Sequence, residues 1–243
     1  MSSSARGSFK FIPGTNPLQS GKVSAWLRLA NATITGSGYS SVPDVLGATS
    51  PAVQATDANR PVNATSANGL PIANLTNHVL DWPLSAANNG AVKNGIACWC
   101  KSNLVGNQNL FAIYNAGSGA SAAKIDYFLG GGTTLQYFCE AGGLATKTTF
   151  MTANVWHFVT VEYDGTQATD QLRCLVTVDG VVLGTTNTAI PVSQPTPTGT
   201  MAIGSFKAGT QPWVGSIGPN FYALNAQLTA SERTALMNFE APT

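Results

Sequence analysis

From residue 155 onward, apolar and polar residues alternate with a period of two, the mark of strands with one buried face. The run at 155–163 ends in Asp164-Gly165, and the run at 172–179 meets Asp179-Gly180, so each closes on a turn dipeptide. Further strands are predicted at 181–185, 200–206 and 216–224. Upstream, the pattern predicts strands at 23–30, 91–101, 109–115, 124–129, 133–140 and 146–150. This is roughly the 8–12-residue rhythm of an all-β sandwich. Helical periodicity is clear only at 229–239. There Thr229 and Glu232 form a capping box, and Leu228, Ala235, Leu236 and Phe239 fall on one face.

Other stretches are poor in strand signal. Residues 31–75 hold Gly36, Gly38, Pro43, Gly47, Pro51, Pro61, Gly69 and Pro71, and read as an ordered excursion with short strands. Residues 188–200, with three prolines, read as a loop. Residues 1–22, with Pro13 and Pro17, read as an N-terminal arm or edge segment that is expected to reach a neighbouring chain. The remainder, 23–243, reads as one domain without internal repeats.

The residue order carries a resemblance. Ala25-Trp26-Leu27-Arg28-Leu29-Ala30-Asn31, Val42-Pro43-Asp44-Val45-Leu46-Gly47, the segment from Ala52 to Pro61, and Asn68-Gly69-Leu70-Pro71 follow one another as in the concanavalin A-like, laminin G-like jelly rolls of bacterial and phage proteins. Trp156-His157, Asp179-Gly180, Ile203-Gly204, Trp213-Val214-Gly215-Ser216-Ile217-Gly218 and Leu228-Thr229-Ala230-Ser231-Glu232 continue it. The resemblance implies an all-β, two-sheet antiparallel jelly-roll sandwich with one short C-terminal helix. Two places depart from it. Asn74-Leu75-Thr76-Asn77-His78 replaces a Phe-Asp-Gly, and Arg28 stands where the family has Asp. Both remove acids that a calcium or ligand site would use.

Composition narrows the chemistry. Charged residues make up 9% of the 243, against about 25% in ordinary soluble domains. The surface is therefore expected to consist of hydroxyls, amides and small side chains. A net charge of +1 gives no long-range pull toward nucleic acid or acidic lipid, so neither is expected as a partner. No run reaches the ~18 apolar residues of a membrane span. The first residues lack the apolar core of a secretory signal, so synthesis in the cytoplasm is expected. Asn31, Asn63 and Asn74 head glycosylation-type triplets, read as chance in so Asn- and Thr-rich a chain. Cys98, Cys100, Cys139 and Cys174 lie on apolar stripes without the paired spacing of a zinc site, and are expected to be buried free thiols. No cofactor is expected. A calcium ion near Asp44 or Asp57 is left open, against the alternative that these acids cap their own loops.

Candidate chemistry is thin. The resemblance assigns Trp26, Trp99, Trp156 and Trp213 to packing. Trp82 is left in the polar context Asp81-Trp82-Pro83, with Asn88 and Asn89 nearby. A sugar site needs an aromatic face and hydrogen-bonding carboxylates or amides, so Trp82, Asp81, Asn88 and Asn89 form the candidate ligand site, against the alternative that Trp82 plugs the sandwich. With Asp164 given to its turn, no two acids stand two apart on a predicted strand, as a paired-carboxylate glycosidase requires. His157 shares its face with Val159, Val161 and Tyr163 and is expected inside. The first expectation is a non-enzymatic surface module of a larger assembly, such as a phage virion decoration, head-fibre or tail protein. Its partners would be other chains, copies of itself included, with a cell-surface glycan as a further candidate. Ranked behind it are a free lectin-like protein and a polysaccharide-active hydrolase or lyase.

Overall fold

A computed structural model gives the architecture of the protein. It describes residues 18, 20–83, 85, 92–103, 106, 108–114, 125–130, 134–139, 143–148, 151–184, 186–194, 200–205 and 211–243. For 113–114, 125–130, 134–139, 143–148 and 186–187 it describes only the backbone. The strands, in chain order, begin with β1 Val23–Arg28, β2 Thr33–Thr35, β3 Gly38–Val42, β4 Ala52–Val53, β5 Val62–Thr65 and β6 Pro71–Asn74. Next come β7 Leu80–Pro83, β8 Lys93–Ser102, β9 Gln108–Tyr114, β10 Ile125–Gly130, β11 Thr134–Cys139 and β12 Gly143–Thr148. The last six are β13 His157–Asp164, β14 Cys174–Val178, β15 Val181–Val182, β16 Thr186–Thr188, β17 Thr200–Ile203 and β18 Gly215–Leu224. Helix α1 spans Asp170–Arg173 and helix α2 spans Ala230–Asn238. Strand holds 45% of the chain and helix 12%, so the chain is mostly antiparallel β with one short C-terminal helix, as expected.

The pairings define two layers. One sheet runs β4–β7–β17–β9–β10–β11–β12–β16. The other runs β1–β18–β8–β13–β14–β15. Short strands β2, β3, β5 and β6, cut from the turn-rich excursion, join them at a corner. Leu80, Trp82, Met201, Ile203 and Phe111 of the first sheet meet Ile96, Cys98, Cys100, Val159, Val161, Tyr163 and Phe221 of the second in one core. Cys98, Cys100 and Cys174 are buried free thiols; the side chain of Cys139 lies outside the described residues.

The second sheet buries its outer face as well, which explains why every residue of β13 is buried. Phe158, Ala97, Trp26 and Tyr222 form a second core under Leu228 and Leu236 of the α2 segment. The fully buried carboxylate of Glu162 accepts from Arg233 Nε at 2.7 Å, Arg233 Nη2 at 2.8 Å and the Leu228 amide at 2.8 Å. Breaking such a pair by removing one partner costs about 3–5 kcal/mol, so it fixes where the helix docks. The predicted capping box forms: Thr229 Oγ1 accepts from the Glu232 amide, and Glu232 accepts from the Thr229 amide at 2.7 Å. Residues Ser20 and Lys22 donate to the same Glu232 at 2.9 and 2.8 Å. The end of the expected N-terminal arm is thus folded onto its own chain; residues 1–17 and 19 lie outside the described residues.

Asp44 caps its own loop. Its carboxylate accepts from the amides of Trp26, Leu46, Ala48 and Thr49 at 2.8–3.0 Å. Asp57 pairs with Arg60. Among the described residues no group of three or more His, Cys, Asp or Glu, these two acids included, could hold a metal. Asp179 and Gly180 both take positive φ, 52° and 79°, as a two-residue β-hairpin turn requires.

Candidate functional site

The expected site around Trp82 does not assemble. Trp82 lies on β7 with its side chain facing inward. Its ring is fully buried, edge-on to Phe221 at 5.9 Å, and its indole N–H donates to Thr49 Oγ1 at 2.9 Å. Thr49 in turn donates to Asp44 at 3.1 Å. No ligand can stack on this indole, and the candidate is corrected to a core residue: β7 is a strand of the first sheet, so alternation sends Trp82 inward and Asp81 outward. Asp81 is half-buried beside Val53 and Ala202 in the register, and burial raises its carboxyl above the ordinary range. Asn88 and Asn89 lie outside the described residues.

The paired-acid reading needs a correction as well. β13 extends one residue further than predicted, to Asp164, which puts Glu162 and Asp164 two apart on one face. Both are already spent. Glu162 holds Arg233, while Asp164 meets Lys93 at 3.3 Å and accepts from Thr166 Oγ1 at 2.6 Å. His157, inside as expected, has Nδ1 2.7 Å from Asp179 and accepts the Thr152 amide on Nε2 at 3.0 Å, so it serves the β13 and β14 ends.

The remaining charges follow the same rule. Among the described residues, Lys22, Arg28, Arg60, Lys93, Arg173 and Arg233 each pair with a carboxylate. Lys101 does not. It sits on the outer face of β8, half-buried, with Nζ 5.0 Å from the centre of the Trp156 ring.

Trp156 and Lys101 stand at the open end of the second sheet. The register pairs His157 with Cys100, both inward-facing, so Trp156 and Lys101 face outward one step further on. The turn before Trp156 is tightly held. The Asn154 amide donates to the Ser102 carbonyl at 2.7 Å, with Asn154 at φ 60°, a conformation Asn tolerates better than most residues. Thr152, Ala153, Asn154 and Val155 around it are exposed. On the other side, Lys101 is opposite Ser216, and Ser216 is opposite Asn74. Ser216 donates to Asn74 Oδ1 at 2.6 Å. The row Trp156, Lys101, Ser216, Asn74 crosses four neighbouring strand positions, about 14 Å at ~4.8 Å per strand.

The backbone beneath this row is fixed by Trp213-Val214-Gly215-Ser216-Ile217-Gly218. Fully buried Trp213 donates its indole N–H to the Lys101 carbonyl at 3.1 Å. A Cβ on Gly215 would lie 1.8 Å from that carbonyl oxygen, so only glycine lets the strands approach here. The site thus combines a half-buried aromatic ring, an ammonium and an amide on a rigid sheet, with Ser216, 4% exposed, orienting the amide from beneath. Sequence reasoning gave Trp156 to the core. The alternation that places His157 inside would have placed Trp156 outside.

An apolar cavity of about 20 Å³ lies in the core, lined by Leu27, Leu29, Val42, Leu75, Leu80 and Phe221. That is room for about one water and far too little for a sugar.

No protein-family model and no curated protein sequence matches the chain. Solved structures do. Trypanosoma rangeli sialidase in complex with sialic acid superposes at TM-score 0.58 and 17% identity, over 87% of this chain and 32% of that one. The chain therefore spans about a third of the sialidase. Domain 4 of a GH43 extracellular arabinanase from Geobacillus stearothermophilus, in complex with arabinotriose, gives 0.56 and 15%, over 88% and 98%. The receptor-binding domain of botulinum neurotoxin type G gives 0.51 and 11%, over 88% and 50%. At these identities the likeness is one of fold, a β-sandwich associated with carbohydrate-related proteins. It overturns the expectation that the chain is not an enzyme. The matched parts belong to enzymes, about a third of a sialidase and domain 4 of a GH43 arabinanase, so the positive finding is a fold that occurs within glycosidases.

Proposed function

We propose that this chain is a glycan-binding β-sandwich of the concanavalin A-like type belonging to a carbohydrate-active protein, and that Trp156 is its stacking platform. One observation carries the reading: Trp156 is a partly exposed indole on the rigid outer face of a sheet, beside Lys101 and in one row with the part-exposed Asn74. Sugar rings present apolar C–H faces ringed by hydroxyls, so they suit an aromatic ring flanked by hydrogen-bonding groups. The arabinotriose complex of the arabinanase domain supports the choice of ligand class.

The test is a glycan array followed by calorimetric titration, with arabinotriose among the ligands. The wild-type chain is expected to bind at least one oligosaccharide, and Trp156→Ala to weaken that binding roughly tenfold, the effect of losing one stacked aromatic. Because Trp156 is partly exposed, this variant is expected to lose about 1–2 kcal/mol of stability, less than the ~3–5 kcal/mol of a core tryptophan. Undiminished binding by Trp156→Ala would remove Trp156 from the site.

A further inference from the structure

We infer that the glycan held at Trp156 is acidic, its carboxylate taken by Lys101. The inference rests on the glycan-binding reading above and deepens it. In a chain so poor in charge, the described cations are otherwise all committed: each of the other six lies against a carboxylate. Arg28 lies over the Trp26 ring as well but also pairs with Glu240, whereas Lys101 has only its ring, 5.0 Å from the centre of Trp156. A ring quadrupole orients an ammonium without neutralising it, and an ammonium carries three N–H donors. The Lys101 charge and donors are therefore still available to a ligand.

The position is built. The backbone of Lys101 is fixed from three sides: its carbonyl accepts from Trp213 Nε1, its strand pairs with β18 at Ser216, and Gly215 allows the close approach. The side chain is half-buried, so an ion pair there is screened less than one in open water. Beside it, Ser216 is 4% exposed and spends its hydroxyl on Asn74 Oδ1, which orients the part-exposed Asn74 amide, and that amide supplies a neutral hydrogen bond of the kind ring hydroxyls need. A sugar lying on Trp156 with its carboxylate over Lys101 would use the ring, the ammonium and the Asn74 amide. The chain as a whole is close to neutral, so any preference for acidic sugars must be local.

Galactobiose and digalacturonate differ only in the oxidation of C6, and they separate the two claims. Titrated at 50 and 500 mM sodium chloride, the wild-type chain is expected to bind digalacturonate about fivefold more tightly at low salt, the worth of a partly exposed ion pair, and to lose most of that margin at high salt. Lys101→Met should bind both sugars alike at the neutral sugar's affinity, and Lys101→Arg should restore the margin. Trp156→Ala should weaken both. Equal wild-type binding of the two sugars, or a margin that survives Lys101→Met, overturns the acidic preference and leaves the glycan-binding reading standing. If neither these disaccharides nor any array glycan binds, both readings fall together.

Discussion

At the scale of single residues, burial decides between two tryptophans that the sequence ranks the other way round. Trp82 is closed in by Phe221 and bonded to Thr49, with both sheets around it. Truncating it to alanine leaves a void that a close-packed core cannot collapse, and the expected cost is about 3–5 kcal/mol. Denaturant melts of Trp82→Ala should show that loss, and a loss under 1 kcal/mol would contradict the core assignment. The polar neighbours that made Trp82 look like a binding residue were read along the chain, whereas strand geometry sends Asp81 and Trp82 to opposite faces. That misreading follows from missing β7. Its four residues, Leu80–Pro83, end in proline and alternate too briefly to stand out. Lys101 was invisible for a different reason. Its lack of a carboxylate becomes visible only when the partners of the other cations are known, and four of those six partners come from distant parts of the chain.

At the scale of elements, α2 shows which local signals carry over into structure. The capping box was legible because it needs only residues three apart, and it forms as read. What the sequence could not show is that Glu232 also gathers Ser20 and Lys22 from more than two hundred residues away. This makes the docking of α2 and of residues 20–22 sensitive to acid. Burial alone would raise the Glu232 carboxyl, but the Lys22 ammonium, the Thr229 amide and hydroxyl, and Ser20 outweigh it and hold it at about 2, against an ordinary 4.5. A carboxyl lowered on folding adds stability that is complete above its unfolded value. That stability should fade as the pH falls from about 4.5 through about 2, below which both states are protonated. Urea midpoints recorded across that window should drop more steeply for the wild type than for Glu232→Gln. Parallel curves for the two proteins would show that Glu232 contributes nothing to acid sensitivity. Helix α1, by contrast, is a single turn ending beside β14, too short to leave any helical period in the sequence.

At the scale of the whole molecule, the sandwich was legible because alternation repeats along the chain, and its closing helix because amphipathic spacing does too. The corner built by β2, β3, β5 and β6 was not, since strands of three to five residues among turn formers have no period to read. The shared core gives a test of whether both layers unfold as one unit. Cys98 and Cys100 of β8 lie in that core with Cys174 of β14, and each is at most 1% exposed. Burial pushes the Cys100 thiol well above its ordinary range, which starves it of the reactive thiolate. A thiol reagent added to the folded chain is therefore expected to leave these three cysteines unmodified for as long as the sandwich is intact. In increasing urea they should become reactive together, at the midpoint seen by tryptophan fluorescence, because Trp82 and Trp213 belong to the same core. Peptide mapping by mass spectrometry would identify each modified cysteine. Labelling of Cys174 well below that midpoint, with Cys98 and Cys100 still protected, would mean that the β14 edge opens independently and that the two-layer core is not a single cooperative unit.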